Sequence, residues 1–369
     1  MTVGFVLDDT LDVSDGVQQA VLTTGAEMTR RGYDVHYIVA ETSTHSELNV
    51  HSISKFAKFK FNGNSVRTPL PAPKEVIKSL FKDIAFDMLC VQMPYSPLLS
   101  GRVISLAPKN VKIFGTFHIL PYSKKTYFAT QMLGKSLKRT LKLFDRVYAV
   151  SEPALHFMKS TFGIDGHVLP NPISYDTYHS EASFKKTSPK NKVVFVGRFD
   201  ERKGVMQLIK AVNLLDKKVL ETTEFIMCGK GPLHEKAVVL ATAYNLPISF
   251  PGYVSLEEKI EYLSSATIAI FPSISGESFG IVLAEAMAAG AEITLGGNNP
   301  GYASVLKSWD DVLFDGSRPD KIAESVEKFL HDVDLRSKIG REQHDYVRNF
   351  DVVKIVDNLL EEYNLLITE

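Results

Sequence analysis

Short apolar runs alternate along most of the chain with longer stretches whose apolar residues recur at helical spacing. Val3–Leu7 predicts a first strand, and Val17–Arg30 carries the first helical pattern. Val35–Val39, Phe86–Val91, Lys112–Gly115 and Arg146–Val150 predict further strands. A second series follows: Lys192–Val196, Phe225–Cys228, Ile248–Phe250, Ile268–Phe271 and Glu292–Leu295. Helical patterns such as Met206–Leu215 and Gly280–Ala289 lie between them. Alternation of this kind predicts an α/β protein with parallel sheets and crossover helices. Leu169-Pro-Asn-Pro-Ile173 and the polar stretch Ser174–Asn191 separate the series and predict a hinge and linker. Val352–Ile367 reads as an amphipathic helix.

With 369 residues the length fits two domains. A hydrophobic fraction of 44% with 23% charged residues is ordinary for a soluble globular chain. The net charge of −1 argues against a general nucleic-acid binder. Cys90 and Cys228 each sit in an apolar run and read as buried free thiols, which suits a reducing cytosol. The N-terminus reads as a strand rather than a signal peptide. The richest apolar stretch, Ala266–Leu295, is broken by Glu277, Glu285, Glu292 and several glycines, so no transmembrane helix is expected.

The most informative segment runs from Pro272 to Gly290. A Ser/Gly-rich loop follows the strand ending at Phe271, and a helix begins near Gly280. Ligands bind at the carboxyl ends of parallel strands, small residues admit a ligand to the backbone, and a helix start suits phosphate. Glu277 lies in the loop; Glu285 lies eight positions on in an otherwise apolar helix. A carboxylate there is costly unless something binds it. Ligand hydroxyls would serve, as would an internal Arg or the helix surface. In Val193–Gly204 a strand leads to a loop with Arg198, Arg202 and Lys203, either a diphosphate site or a solvated charged loop. Cys228-Gly-Lys-Gly-Pro232 is another strand followed by a glycine turn. Asp12–Gln18 is a weak phosphate-loop signal with Gly16 as its one glycine, and His118 follows a strand. P-loop, dinucleotide and nucleophile-elbow motifs are missing. Asp332-Val-Asp334 lies between helical patterns and reads as a helix cap, not a metal site.

Together these segments resemble the retaining glycosyltransferases of family 4 over nearly the whole chain. The Glu-x7-Glu pattern at Glu277 and Glu285 is the most specific part, and Val196–Gly204, the Cys-Gly-Lys-Gly-Pro turn, Val150-Ser-Glu152 and Leu169-Pro-Asn171 fall in the family's order. The resemblance implies a GT-B-type fold of two facing Rossmann-like domains with the active site in the cleft. Residues 1–172 would form an acceptor domain and 173–349 a nucleotide-sugar domain, with the terminal helix 350–369 crossing back. It implies that Glu285 binds the ribose and Glu277 the transferred sugar, and that Arg198 and Lys203 hold the diphosphate. Phe279, Gly280 and Ile281 would lie near sugar and phosphates, Gly229 and Gly16 would line the donor site, and His118 would touch the sugar. Arg198 and Lys203 would stabilise the leaving group without a divalent metal or any cofactor. Front-face attack would retain configuration.

Within the family the chain is most similar to phosphatidyl-myo-inositol mannosyltransferases, through Phe61-Asn-Gly63, Pro94–Ser100, Gly115-Thr-Phe-His118 and Gly276–Leu283. This implies GDP-mannose as donor and an inositol lipid or glycolipid as acceptor, at the inner face of the cytoplasmic membrane. Two departures stand out. Ser14-Asp15-Gly16 replaces an expected Gly-Gly pair, and Gly252–Glu258 lacks the Asp that would pair with guanine. Lys58 and Lys60, between aromatics, and Lys124 and Lys125 are the candidate acceptor and membrane residues, otherwise a solvated strand and helix face. The alternatives are a soluble family member using a UDP-sugar for polysaccharide or small-glycoside synthesis, a non-catalytic nucleotide-sugar-binding protein, and a sugar-nucleotide epimerase.

Overall fold

The computed structural model describes residues 1–13, 15–61, 64–94, 96–120, 130, 132, 134, 137–180 and 190–368, with backbone alone at 58–61, 64–68 and 180. The chain divides into two compact units, Met1–Pro172 with Val352–Glu369, and Ile173–Asp351.

The first unit is built on a parallel sheet of β1 (Thr2–Leu7), β2 (Asp34–Ala40), β3 (Asn49–Ser54), β6 (Met88–Val91), β7 (Lys112–Phe117), β8 (Arg146–Ala149) and β9 (His167–Val168). Its order is β3-β2-β1-β6-β7-β8-β9. Side chains alternate across the sheet, as the pleat requires. Val3, Phe5 and Leu7 join Tyr37 and Cys90 in a core completed by Val352, Ile355, Val356 and Leu359 of the terminal helix Val352–Thr368. Val6, Ile38 and Leu89 face the opposite core, with Ile77, Leu80 and Val103 of the helices Lys74–Asp83 and Leu99–Leu106. Both faces are therefore covered, which explains why β1 and β6 read as unbroken apolar runs. The terminal helix is fixed by Arg31–Asp357 at 2.6 Å and Arg146–Glu362 at 2.8 Å. It begins at Val352 rather than at 350, because Phe350 packs in the second unit against Phe279, centroids 5.2 Å apart. Beside the sheet stands an antiparallel hairpin, β4 (Phe56–Phe61) with β5 (Asn64–Pro69).

The second unit carries a parallel sheet of β10 (Asn191–Val196), β11 (Thr223–Cys228), β12 (Ile248–Gly252), β13 (Ile268–Phe271), β14 (Thr294–Gly297) and β15 (Leu313–Phe314). Its order is β12-β11-β10-β13-β14-β15. The strand expected at Glu292–Leu295 lies two residues later. Glu292 spends its carboxylate on Arg336 at 2.9 Å, and ladder pairing begins at Thr294 opposite Ala269. The helix expected over Met206–Leu215 is Val205–Val212. The helix Ile281–Ala289 is buried from Leu283 to Ala289, Glu285 included. Asp332 caps the helix Val333–Tyr346 by accepting from Leu335 N at 2.9 Å. Cys90 and Cys228 are free and buried, and burial pushes both thiols up to about 12. Among the described residues no helix is long and apolar enough to cross a membrane.

Candidate active site

The direction in which successive strands are added to the second sheet reverses between the parallel neighbours β10 and β13, so the loops after these two strands open side by side. Crevices of this kind are where open α/β sheets bind ligands. After β10, Glu201–Lys203 forms a single 3₁₀ turn, which Asp200 caps by accepting from Lys203 N at 3.1 Å. Gly204 ends it in the left-handed region, φ 70°, where a Cβ would stand 2.1 Å from the Pro272 carbonyl oxygen. Only glycine lets the two loops come this close. Ile274 N donates to the Arg202 carbonyl at 2.7 Å, and Ser273 Oγ lies 3.1 Å from the same oxygen. The Arg202 guanidinium returns a bond to Gly276 O at 3.2 Å.

This lacing brings Lys203 to Glu277, Nζ to Oε1 2.7 Å, with Ser273 Oγ donating to the same oxygen at 2.8 Å. Two positions read separately from the sequence, 74 residues apart, thus form one ion pair. Arg198 stands apart: its side chain is 60% exposed, and its Nε lies 3.8 Å from Asp200. Below the loop lies Tyr302, fully buried, whose phenol pKa is raised by burial and by the charge of Glu277. Gly280 precedes the helix Ile281–Ala289 with φ 103°, and a Cβ there would meet the Tyr302 ring at 2.5 Å. The helix expected from Gly280 therefore starts one residue later, with Gly280 as its cap. Ile281 opens the helix, and Phe279 is buried beside Gly280. Gly229 follows β11, and its N–H donates to Gly252 O at 2.6 Å.

Glu285, 5% exposed, is met by an internal lysine rather than by an arginine. Its Oε1 accepts from Lys259 Nζ and Tyr178 OH, each at 2.7 Å. Neither partner is foreshadowed by the sequence: each is one polar residue in an ordinary helix, Leu256–Ser264 and Tyr175–Ser180. Where a base-pairing Asp was missing, Ser255 and Glu258 form a capping box, Ser255 N donating to the Glu258 carboxylate at 2.7 Å.

In the first unit, His118 follows β7. Its Nε2 lies 2.8 Å from Gln92 Oε1, so that nitrogen carries the proton and donates. Nδ1 is covered and has no partner among the described residues. Burial pushes the imidazole down to about 4, so the ring is neutral at physiological pH. It lines a cavity with Thr24, Thr116, Gln92, Asn171 and Ile355. Gly16 opens the helix Gly16–Arg30. Burial alone would raise the Asp12 carboxyl, but backbone and side-chain bonds from Thr44 and Ser43 outweigh it and hold the group well below the usual carboxylate range. Asp12 is therefore spent on a loop contact rather than left at a phosphate. The side chains of Lys58 and Lys60, and all of Ser14, Lys124 and Lys125, lie outside the described residues.

Two family models match the chain in succession: Glycosyltransferase Family 4 over residues 14–177, and Glycosyl transferases group 1 over residues 179–345. A phosphatidyl-myo-inositol mannosyltransferase of Mycolicibacterium smegmatis is 28% identical, over 98% of this chain and 93% of that protein. One from Mycobacterium tuberculosis is 30% identical, over 86% of this chain and 81% of its own length. A glycosyltransferase crystal structure from Rickettsia africae superposes with a TM-score of 0.76 at 16% identity, covering 99% of this chain and 98% of that one. The two parallel-sheet units are those of the GT-B fold, and the chain belongs to glycosyltransferase family 4.

Proposed function

We propose that this glycosyltransferase moves mannose from GDP-mannose to an inositol lipid, phosphatidylinositol or a glycolipid, with retention of configuration. The reading is carried by the two Glu–Lys contacts at the second sheet's reversal, in a chain similar to inositol-lipid mannosyltransferases over nearly its whole length. Breaking the anomeric C–O bond leaves a diphosphate and an oxocarbenium-like sugar. Arg198 and Lys203 meet the developing negative charge, and Lys203, already held by its ion pair in a partly buried setting, costs little reorganisation as that charge forms. Glu277, held by Lys203 and Ser273 through one oxygen, accepts a sugar hydroxyl with the other. His118, as a neutral ring, touches the sugar without adding charge. No divalent metal or cofactor is assigned a role, and the protein works as a peripheral enzyme on an anionic, cytoplasm-facing membrane.

The test supplies GDP-mannose and vesicles of phosphatidylinositol and follows mannolipid by mass. Product formed with GDP-mannose, and GDP released only when lipid is present, is the expected result. GDP release that ignores the lipid, or vesicles of any composition that neither bind nor react, would overturn it. A second reading, a soluble transferase using a UDP-sugar, is favoured by one observation. The capping box ties up Glu258, which leaves the exposed Glu257 as the remaining carboxylate of that turn and no Asp to pair with guanine. Stabilisation by UDP but not GDP in a thermal shift selects it.

A further inference from the structure

The donor reading assigns Glu285 to the ribose but leaves open how a carboxylate inside an apolar helix is aimed. Residues Leu283 to Ala289 are all buried, so Glu285 has little solvent to orient it. Two donors from two other helices converge on its Oε1, Tyr178 OH and Lys259 Nζ, each at 2.7 Å. Lys259 also lies over the Tyr178 ring, 5.4 Å from its centroid. Among the described residues nothing bonds Oε2. We propose that Tyr178 and Lys259 are positioning residues that fix Glu285 through one oxygen and so present the other to the ribose hydroxyls of the donor. The inference rests on the donor-site reading above.

The chemistry is consistent on three counts. A carboxylate is an acceptor only, and a ribose diol offers two donors, so the free oxygen selects a ribonucleotide over a deoxy one. Lys259 cancels the carboxylate charge, so a buried anion does not repel the nearby diphosphate. Tyr178 stays protonated, because burial and then the Glu285 charge raise its phenol pKa far above the usual value. A pair that served packing alone would need neither the shared oxygen nor the vacant one.

The experiment measures Kd by titration calorimetry for GDP or UDP, whichever binds, and for its 2′-deoxy and 2′,3′-dideoxy forms. Wild type is expected to favour the ribo form at least about tenfold, the scale of one hydrogen bond to a charged group. Tyr178→Phe is expected to shrink that ratio to within about threefold while leaving the Kd of the dideoxy form nearly unchanged. Lys259→Gln, read the same way, carries the test if Tyr178→Phe does not fold. A variant with lowered Tm but an unchanged ribo-to-deoxy ratio makes the contact structural and overturns the proposal. Failure of wild type to bind any nucleoside diphosphate removes the donor reading instead, and the two failures cannot be confused.

Discussion

Lys203 and Arg198 belong to one loop but stand in different electrostatic circumstances. The Lys203 side chain is 20% exposed and paired with the Glu277 side chain, 12% exposed; the Arg198 side chain is 60% exposed and 3.8 Å from Asp200. Lys203→Ala leaves Glu277 with Ser273 alone. It should cost about 1–3 kcal/mol of stability, the penalty of stranding a partly buried charge, and about 10²–10³ in kcat through the lost leaving-group contact. Arg198→Ala should lose a comparable factor in kcat with stability within about 0.5 kcal/mol, as for an exposed side chain. Paired denaturation and steady-state assays check this. Equal destabilisation by both, or near-normal turnover in both, contradicts the assignment. His118 supplies a pH signature. Its folded pKa, about 4, lies below the ordinary 6.5. Between those values the unfolded chain binds a proton that the native chain refuses, so stability falls as pH drops from 6.5 towards 4. The loss amounts to about 3 kcal/mol at most, since each tenfold change in proton affinity is worth about 1.4 kcal/mol. In urea titrations from pH 7 to 4, the stability difference between wild type and His118→Gln should swing against wild type by up to that amount. A constant difference would show that the ring titrates normally. Glu277, Glu285 and His118 were legible in the sequence because each is an anomaly in one dimension, a polar group where the run is apolar or at a strand's end. Tyr178 was not, because its partner is 107 residues away and no spacing encodes that.

Elements were legible in proportion to their burial. β1, β6 and β13 are covered on both faces, so their sequences are apolar throughout and stand out from their surroundings. β3 escapes the pattern because Asn49–Ser54 lies at the sheet edge, where His51 and Ser52 are tolerated. β9 and β15, two residues each, are too short for any period to register. The hairpin β4–β5 has another cause. Lys55 to Phe61 reads first as a basic, aromatic stretch, and its alternation is also that of a strand with two unlike faces. Helix starts fall within a residue or two of expectation; where they differ, as at Gly280, a left-handed glycine caps the helix from outside instead of joining it. The contact between the loops after β10 and β13 depends on strand order. Adjacency of strands that are not consecutive in the chain has no signature in a single sequence, so Lys203 and Glu277 could be named separately but not as a pair.

At the scale of the whole chain, two apolar series and a proline-rich junction mark two units, and the chain divides between Pro172 and Ile173. The destination of the last helix follows from its apolar stripe only once a core is found for it. Val352, Ile355, Val356, Leu359 and Leu366 pack with β1 and β2 of the first unit, at the opposite end of the sequence. Removing residues 352–369 should therefore damage the unit that contains residue 1. Several large side chains worth about 1.5–3 kcal/mol each would lose their burial, which exceeds a small share of the roughly 5–15 kcal/mol typical of a domain. Trp309, the only tryptophan, reports on the second unit alone: it is 8% exposed there and donates to Glu342 at 2.7 Å. In urea, the fluorescence transition of a chain ending at Asp351 should stay close to that of wild type, while far-UV circular dichroism, which sees both sheets, should gain an early phase or start from a lower helical signal. Such a chain would keep the Lys203–Glu277 and Lys259–Glu285 contacts and still be stabilised by a nucleoside diphosphate. A fluorescence midpoint that falls as far as the dichroism midpoint would mean that the helix supports the second unit, contrary to where its apolar face is buried.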